Sequence, residues 1–348
     1  MPSLLHYALA ILTVFTIVAC SPGPTANVQE GDCRTVTHAM GDTEICGAPE
    51  KIVVLGEHSL DLLLSLGQQP AGLATAIPFH GGETFDQPGE QIPYLGPFIT
   101  TQPVNVGNRS QPSLEILVQI QPDLIVGEMG GNQETYSLLS QVAPTILWDI
   151  RTNRGQWQQN LKTLALALGD EAKAEEALTE LQQDITTTRE NLQPVIADAP
   201  KALLLGASRL NSGEIFAITS QSYLGELMES LGFAIVAPEN GKNSAPLSLE
   251  ALADLDEANH IFVLGYRLGD ESGQQPDNPD QLLQQQTSGI KADWEENEIA
   301  QSLSATKAGN VYFRTYLLWN GLNGPMGTRL VLQEIEQMLV DDYSKPQS

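Results

Sequence analysis

The chain has 348 residues, 17 Lys+Arg against 43 Asp+Glu, and a formal net charge of -26. With 41% hydrophobic residues it has material for two domains or one large two-lobed one. A pI near 4.3 argues against a nucleic-acid partner and against a polybasic membrane contact, and it makes each of the nine arginines informative.

Residues 1–19 are an apolar run too short and too early for a resident membrane span, and they read as a secretory signal. The n-region carries no Lys or Arg, only the amino terminus and His6. Ile17–Cys20, "IVAC", resembles a bacterial lipobox, which implies cleavage before Cys20 and lipidation of its thiol. The Pro/Gly/polar stretch that follows, to residue 31, suits a tether. Cys33 and Cys46 are then the two remaining cysteines. In an exported chain a disulfide is their default state, closing a loop of about a dozen residues and stabilising by about 3 kcal/mol in the chain-entropy model. A metal pair is the alternative, but two cysteines with one nearby His38 do not complete a tetrahedral site.

"KIVVLGEHSLDLLLSLGQQPAGLA" predicts strand, short helix, strand: Ile52–Leu55 is a buried-strand run, and Leu60, Leu63, Leu64 and Leu66 share one helical face that Gly67 ends. Pro78 to Gly107 reads as a long irregular stretch. "SLEILVQIQPDLIVG" then predicts helix, turn and strand, and "ETYSLLSQVAPTILWD" repeats the plan, with Trp148 read as core. Short all-apolar strands alternating with helices predict a mostly parallel sheet covered by helices. "DEAKAEEALTELQQDITTTRENLQ" runs about two dozen residues without Gly or Pro, with Leu178, Leu181, Ile185 and Leu192 on one face. It predicts an amphipathic helix of about 35 Å, a length suited to a rod between two lobes. After Pro200 the α/β pattern restarts with "KALLLG", "SYLGELMESLGFAIVAPE", "SLEALADLDEANHIFVLG" and "KAGNVYF", and ends in a helix starting near Pro325. "GDESGQQPDNPDQLLQQQTSG" reads as a polar surface loop. Ser113-Leu114-Glu115 recurs as Ser248-Leu249-Glu250, so the two halves echo each other. Each serine suits an N-cap, and each glutamate complements a helix dipole.

Gly-x-Ser-x-Gly, P-loop and His-Glu-x-x-His patterns are missing from the sequence. "GEMGGN" at Gly127 reads as a turn. The five histidines (His6, His38, His58, His80, His260) are scattered; His58 and His80 are the one pair that could meet in the first lobe.

The blocks "PEKIVVLGEHSLDLLLSLGQQPAGLA", "VGNRSQPSLEILVQIQPDLIVGE", "YSLLSQVAPTI", "SYLGELMESLGF" and "NVYFRTYLLWNGLNGPMG" occur in that order. Together they resemble the helical-backbone substrate-binding proteins of bacterial ABC importers for ferric siderophores, closest to the ferric-citrate and ferric-hydroxamate binders. "RTVTHAMGDTEI" resembles the short N-terminal hairpin of that group. The resemblance implies two similar α/β lobes joined by one long rigid helix, with the ligand cleft between them. The expected division is a signal peptide at 1–19, a lipidated tether at 20–31, a first lobe at 32–154, an interlobe region at 155–196 and a second lobe at 197–348.

In the resembling family the arginine of "VGNRSQPSLE", here Arg109, faces the cleft, where a planar guanidinium can bind two anionic oxygens. Further ligand candidates are Arg209, Trp319, Tyr266, Arg267 and Arg314, most of them just past strand C-termini. Glu115 and Glu250 match the glutamates that dock on permease arginines. The glycines Gly130 and Gly131 stand where some hydroxamate binders carry a tyrosine, which puts aromatic stacking from the first lobe in doubt. The resulting expectation is a monomeric, lipid-anchored periplasmic protein without enzymatic activity or a cofactor. It would take up a ferric siderophore without ligating the metal directly, and hand it to an inner-membrane ABC permease. The competing readings are a haem- or cobalamin-binding protein of the same fold, and a sensory or enzymatic α/β ectodomain.

Overall fold

A computed structural model describes residues 33–76, 85–149, 151–210, 215–238, 241–266 and 278–343. The expected signal, Cys20 and the tether lie outside the described residues, as do His80 and Arg267.

The chain opens with a hairpin, β1 (Cys33–His38) and β2 (Gly41–Cys46), in register from Cys33 opposite Cys46 to His38 opposite Gly41. The two cysteines form a disulfide across its open end. Val36 and Ile45 are its buried residues, and Arg34 donates to the Ala167 carbonyl at 2.6 Å.

The first lobe follows as β3 (Ile52–Leu55), α1 (Glu57–Ser65), β4 (Gly72–Thr75), α2 (Pro88–Gln91), β5 (Val104–Asn108), β6 (Gln111–Pro112), α3 (Leu114–Ile120), β7 (Leu124–Glu128), α4 (Met129–Asn132), α5 (Tyr136–Val142) and β8 (Thr145–Trp148). Its six strands lie in the order β6-β5-β4-β3-β7-β8 and are parallel except for the β5–β6 pair. Strands β3, β7 and β8 are buried at every position, as expected of a sheet with helices on both faces.

Helices α6 (Gln156–Leu168) and α7 (Glu171–Asp198) connect the lobes. At 28 residues α7 is about 42 Å long. It continues through Pro194, where the sequence predicts an end, because Leu192, Val195 and Ile196 are buried on either side of the proline and hold the chain helical.

The second lobe contains β9 (Lys201–Ala207), β10 (Ile215–Ile218), α8 (Tyr223–Leu231), β11 (Ala234–Val236), β12 (Ser244–Leu247), β13 (His260–Gly265), α9 (Pro279–Glu296), α10 (Glu298–Ser302), α11 (Ser304–Lys307), β14 (Val311–Thr315) and α12 (Pro325–Tyr343). Strand order is β12-β10-β9-β13-β14. β9, β13 and β14 are parallel, while β10 runs antiparallel to β9 and β12. The short β11 pairs with the first half of the β9 edge that β10 leaves unpaired.

Two sequence expectations are corrected here. The polar stretch read as a surface loop is helical from Pro279: Asn278 caps it by accepting from the Gln281 N–H at 2.8 Å, and the helix buries its own Ile290 and Trp294. Glu250–Leu255 is a 3-10 helix, where "SLEALADL" predicts an α-helix.

One apolar cluster runs without interruption from Leu60, Leu63 and Trp148 through Leu161, Leu164, Leu181 and Leu192 to Leu204, Phe262, Trp319 and Ile335. The outer faces of the two sheets carry smaller clusters of their own. Inside the shared core α1 is buried on nearly every side, including Glu57, His58, Ser59 and Asp61. Burial of such groups is costly unless they are hydrogen-bonded, and each one is. Glu57 accepts from the Ala76 N–H, Ser59 from the Trp148 indole, and His58 meets the Leu322 carbonyl at 2.7 Å and the Asn160 amide at 3.1 Å. Asp61 accepts from the N–H groups of Met326 (3.0 Å) and Gly327 (2.8 Å), in the first turn of α12, and from the Ser65 hydroxyl. A carboxylate there also complements the helix dipole. The approach requires glycines, since a Cβ on Gly324 would lie 2.5 Å from Asp61 and one on Gly327 2.9 Å.

Two predictions follow from this contact. Asp61→Ala leaves two buried N–H groups without acceptors and should cost about 3 kcal/mol, lowering Tm by about 5 °C. The second concerns pH. Burial lowers the His58 imidazole to about 4, so its contribution to stability is lost as pH falls from 6.5 toward 4. Burial, only partly offset by the Gly327, Met326 and Ser65 hydrogen bonds, raises Asp61 to about 6, so acidification through that value favours the folded state. The two oppose each other between pH 4 and 6. Asp61→Asn removes one arm, and its stability in urea should fall more steeply on acidification than the wild type's.

Candidate functional site

Parallel strands aim their C-terminal ends at the crevice where α/β proteins bind ligands. In the first lobe those ends carry Arg109, just past β5, Glu128, the last residue of β7, and Arg151, three residues past β8. Arg109 is fixed at its backbone: its N–H donates to the Thr75 carbonyl (3.0 Å) and its carbonyl accepts from the Asn132 side chain (2.6 Å). Its side chain crosses Gly56, whose Cβ would lie 3.2 Å from the arginine Cδ. Arg109 and Arg151 converge on one oxygen, Glu128 Oε2, at 3.3 and 2.5 Å. Burial on its own would raise the Glu128 carboxyl, but the fields of Arg151, His58 and Arg109 outweigh it and hold it below its ordinary range.

Arg151 also reaches the second lobe, donating from Nε to the Gly321 carbonyl (3.1 Å) and to Asn323 Oδ1 (3.3 Å). The acceptors belong to a single π-helical turn, Leu317–Gly321, and to Asn323 just beyond it at φ 52°. π-Turns of this kind are frequent at functional sites. On the second-lobe side Phe216, Tyr266 and Tyr316 form an aromatic triangle with centroids 5.8–6.2 Å apart. The Tyr316 hydroxyl accepts from the Asn320 amide at 2.8 Å, and burial raises its pKa, so it remains a neutral phenol.

The remaining candidates divide by contact. Arg209 offers Nε and Nη2 to the buried Asp293 at 2.7 and 2.8 Å, so its fork is already engaged by the protein. Arg314 pairs with Glu334 at 3.3 Å and donates to its own Phe313 carbonyl. Trp319 is corrected: it is fully buried, packs on Phe262 and donates its indole N–H to Glu334 at 2.6 Å. The π-turn brings Tyr316 rather than Trp319 to the cleft side. Glu115 and Glu250 are both exposed in the first turns of their helices, and the caps match, with Ser113 accepting from Ile116 N–H and Ser248 from Ala251 N–H, each at 3.3 Å.

Arg151, Glu128 and Tyr316 do not figure among the sequence candidates. The strand-end rule that selected Tyr266 and Arg314 would also have selected them. A surface groove of about 440 Å³ lies elsewhere, lined by Glu50, Gln68, Asp170 and Lys173 among others; it holds none of the cleft residues. Among the described residues the one cluster with metal-ligating atoms is Cys33, Glu44 and Cys46, and its two thiols are spent in the disulfide. No described helix is long and apolar enough to cross a membrane.

Two α/β lobes with strand ends facing each other around an arginine pair, and a long helix behind them, define a substrate-binding protein of the two-lobed class. The chain belongs to the periplasmic binding protein family, whose model matches residues 52–315. It is 27% identical over 328 residues to the Fe(3+)-citrate-binding protein YfmC of Bacillus subtilis, covering 91% of this chain and 90% of that one. It is 24% identical over 338 residues to a probable siderophore-binding lipoprotein, YfiY, of the same organism, covering 94% of each. The solved structure of Staphylococcus aureus SirA complexed with staphyloferrin B superposes with a TM-score of 0.68 at 25% identity, covering 88% of this chain and 98% of that one.

The position of Trp319 gives a test of the site's boundary. Trp319→Phe should lower Tm by removing one buried hydrogen bond, about 1 kcal/mol, and should leave chelate affinity at the wild-type value in an equilibrium titration.

Proposed function

We propose that the chain is the substrate-binding component of an ABC importer and captures a ferric siderophore of the citrate or hydroxamate type. The observation that carries this reading is the cleft cluster. Two guanidinium groups share one carboxylate, which leaves a local positive charge in a protein whose net charge is -26. An acidic protein repels an anionic ferric complex unless such a point exists, and the guanidinium N–H groups that Glu128, Gly321 and Asn323 leave over suit clustered carboxylate or hydroxamate oxygens. The Fe(3+)-citrate-binding and probable siderophore-binding relatives support it. Phe216, Tyr266 and Tyr316 supply the apolar wall, and Arg209 and Arg314 lend polar edges while paired with acids. Capture and release of this kind requires no covalent chemistry, and members of the family are binding proteins.

Delivery uses the outer surface. Glu115 and Glu250 are the docking points for permease arginines. Val118, one helical turn from Glu115 and 60% exposed, adds an apolar contact beside the first of them. The protein acts as a monomer outside the cytoplasm, anchored through lipid on Cys20, in keeping with the lipoprotein described among its relatives.

Three measurements test this. In titrations with ferric citrate, Arg109→Ala and Arg151→Ala should each weaken binding about ten- to a hundredfold, the loss of a charge-assisted contact of about 1.5–3 kcal/mol. Arg109→Lys should recover part of it, and unchanged affinity in both alanine variants would remove the cluster from the ligand site. Glu115→Arg with Glu250→Arg should abolish uptake while leaving chelate affinity intact, because charge reversal sets like charges against the permease. Cys20→Ser should release the protein from membranes on fractionation; a variant that still sediments with them would refute the anchor.

A further inference from the structure

The carboxylate in the cleft has the wrong sign for an anion-binding site, and its contacts are unlike those of the other acids nearby. Asp293 engages Arg209 through both oxygens, one to one. Glu128 uses one oxygen for two arginines, and its second oxygen, Oε1, is buried without a hydrogen-bond partner among the described residues. Leaving a carboxylate oxygen buried and unpaired is unfavourable. The arginines themselves are otherwise well placed: Arg109 by its backbone bonds to Thr75 and Asn132, and Arg151 by Gly321 and Asn323. What Glu128 adds is a fixed point between them, and the cancellation of one of their two charges.

We infer that Glu128 is a specificity-determining positioning residue: it holds Arg109 and Arg151 as one double fork and reduces their charge, so that the cleft favours ferric chelates of low net negative charge over strongly anionic ones. The inference rests on the proposed chelate-binding function. The carboxylate would lie near a bound complex, in an environment of reduced dielectric, where each additional negative charge on that complex is disfavoured. An aligned pair of guanidinium groups would still engage oxygens of the chelate in fixed geometry.

The test compares two chelates of different charge, ferric citrate as the strongly anionic probe and ferrioxamine B, a trihydroxamate complex bearing a free ammonium, as the other. Their affinities are measured at one ionic strength for wild type, Glu128→Gln and Glu128→Asp. Glu128→Gln should shift the affinity ratio toward ferric citrate by about tenfold, as removal of one nearby negative charge requires. Glu128→Asp keeps the charge and retracts the fork. It should weaken both chelates while leaving their ratio within about twofold of wild type, a span of less than 0.5 kcal/mol. Equal losses for both chelates in Glu128→Gln, or the same ratio shift in Glu128→Asp, would overturn the inference and reduce Glu128 to a structural role. A ligand-free readout separates this from failure of the chelate reading. In arginine side-chain NMR of the unliganded protein, Glu128→Gln should speed exchange of the Arg109 and Arg151 N–H groups at least tenfold, the loss of about 1.4 kcal/mol of protection. If wild type binds neither chelate, the functional reading fails while this measurement still decides the alignment. Unchanged exchange would then refute the positioning role.

Discussion

The structure depends on a short helix whose polar side is turned inward. Glu57, His58, Ser59 and Asp61 lie at the start of α1, and each meets a different part of the chain: the end of β4, the Leu322 carbonyl with α6, the Trp148 indole, and the first turn of α12. Satisfied, these bonds specify a single arrangement of the elements they join; half satisfied, they would be worse than an apolar core. The Asp61 carboxylate is central among them because it fixes where the last helix begins. Through α12, which packs along α7, it also fixes how the second lobe meets the first.

That contact is one of several that tie the two lobes together. A hinge between two independent lobes would have few bonds across it. Here the apolar core is continuous from one sheet to the other, and Arg151 spans the same junction from the ligand side, bound to Glu128 in one lobe and to Gly321 and Asn323 in the other. Opening the lobes widely would break a buried carboxylate–helix contact, a histidine–carbonyl contact and an arginine bridge together.

Much of the fold was legible in the sequence because its signals are local. Apolar four-residue runs gave β3, β7 and β8, and a two-dozen-residue stretch without Gly or Pro gave most of α7. The cysteine pair is bonded as an exported chain suggests. The errors have physical causes. The α9 segment is polar because only one side is covered, and its burial rests on Ile290 and Trp294 near its C-terminal half. Helix α7 passes Pro194 because tertiary packing outweighs one missing N–H. At the site, Arg109 was identified from its loop, but the Glu128 and Arg151 that define its charge come from other strand ends. Trp319 was assigned to the cleft because the resembling hydroxamate binders offer an aromatic residue there, and the π-turn that buries it here leaves no periodic mark in the sequence. The buried polar face of α1 was invisible for a related reason: it reads as an ordinary solvent face until its distant partners are known.

Those partners are distant in time as well as in space. His58 and Asp61 find their acceptor and donors more than 260 residues later in the chain. A polypeptide made from its N-terminus therefore carries the first lobe through synthesis with its central helix lacking several of its bonds. Only when the segment from Leu322 to Gly327 arrives can those groups be taken out of water without penalty. Completion of the first lobe is thus tied to arrival of the last helix.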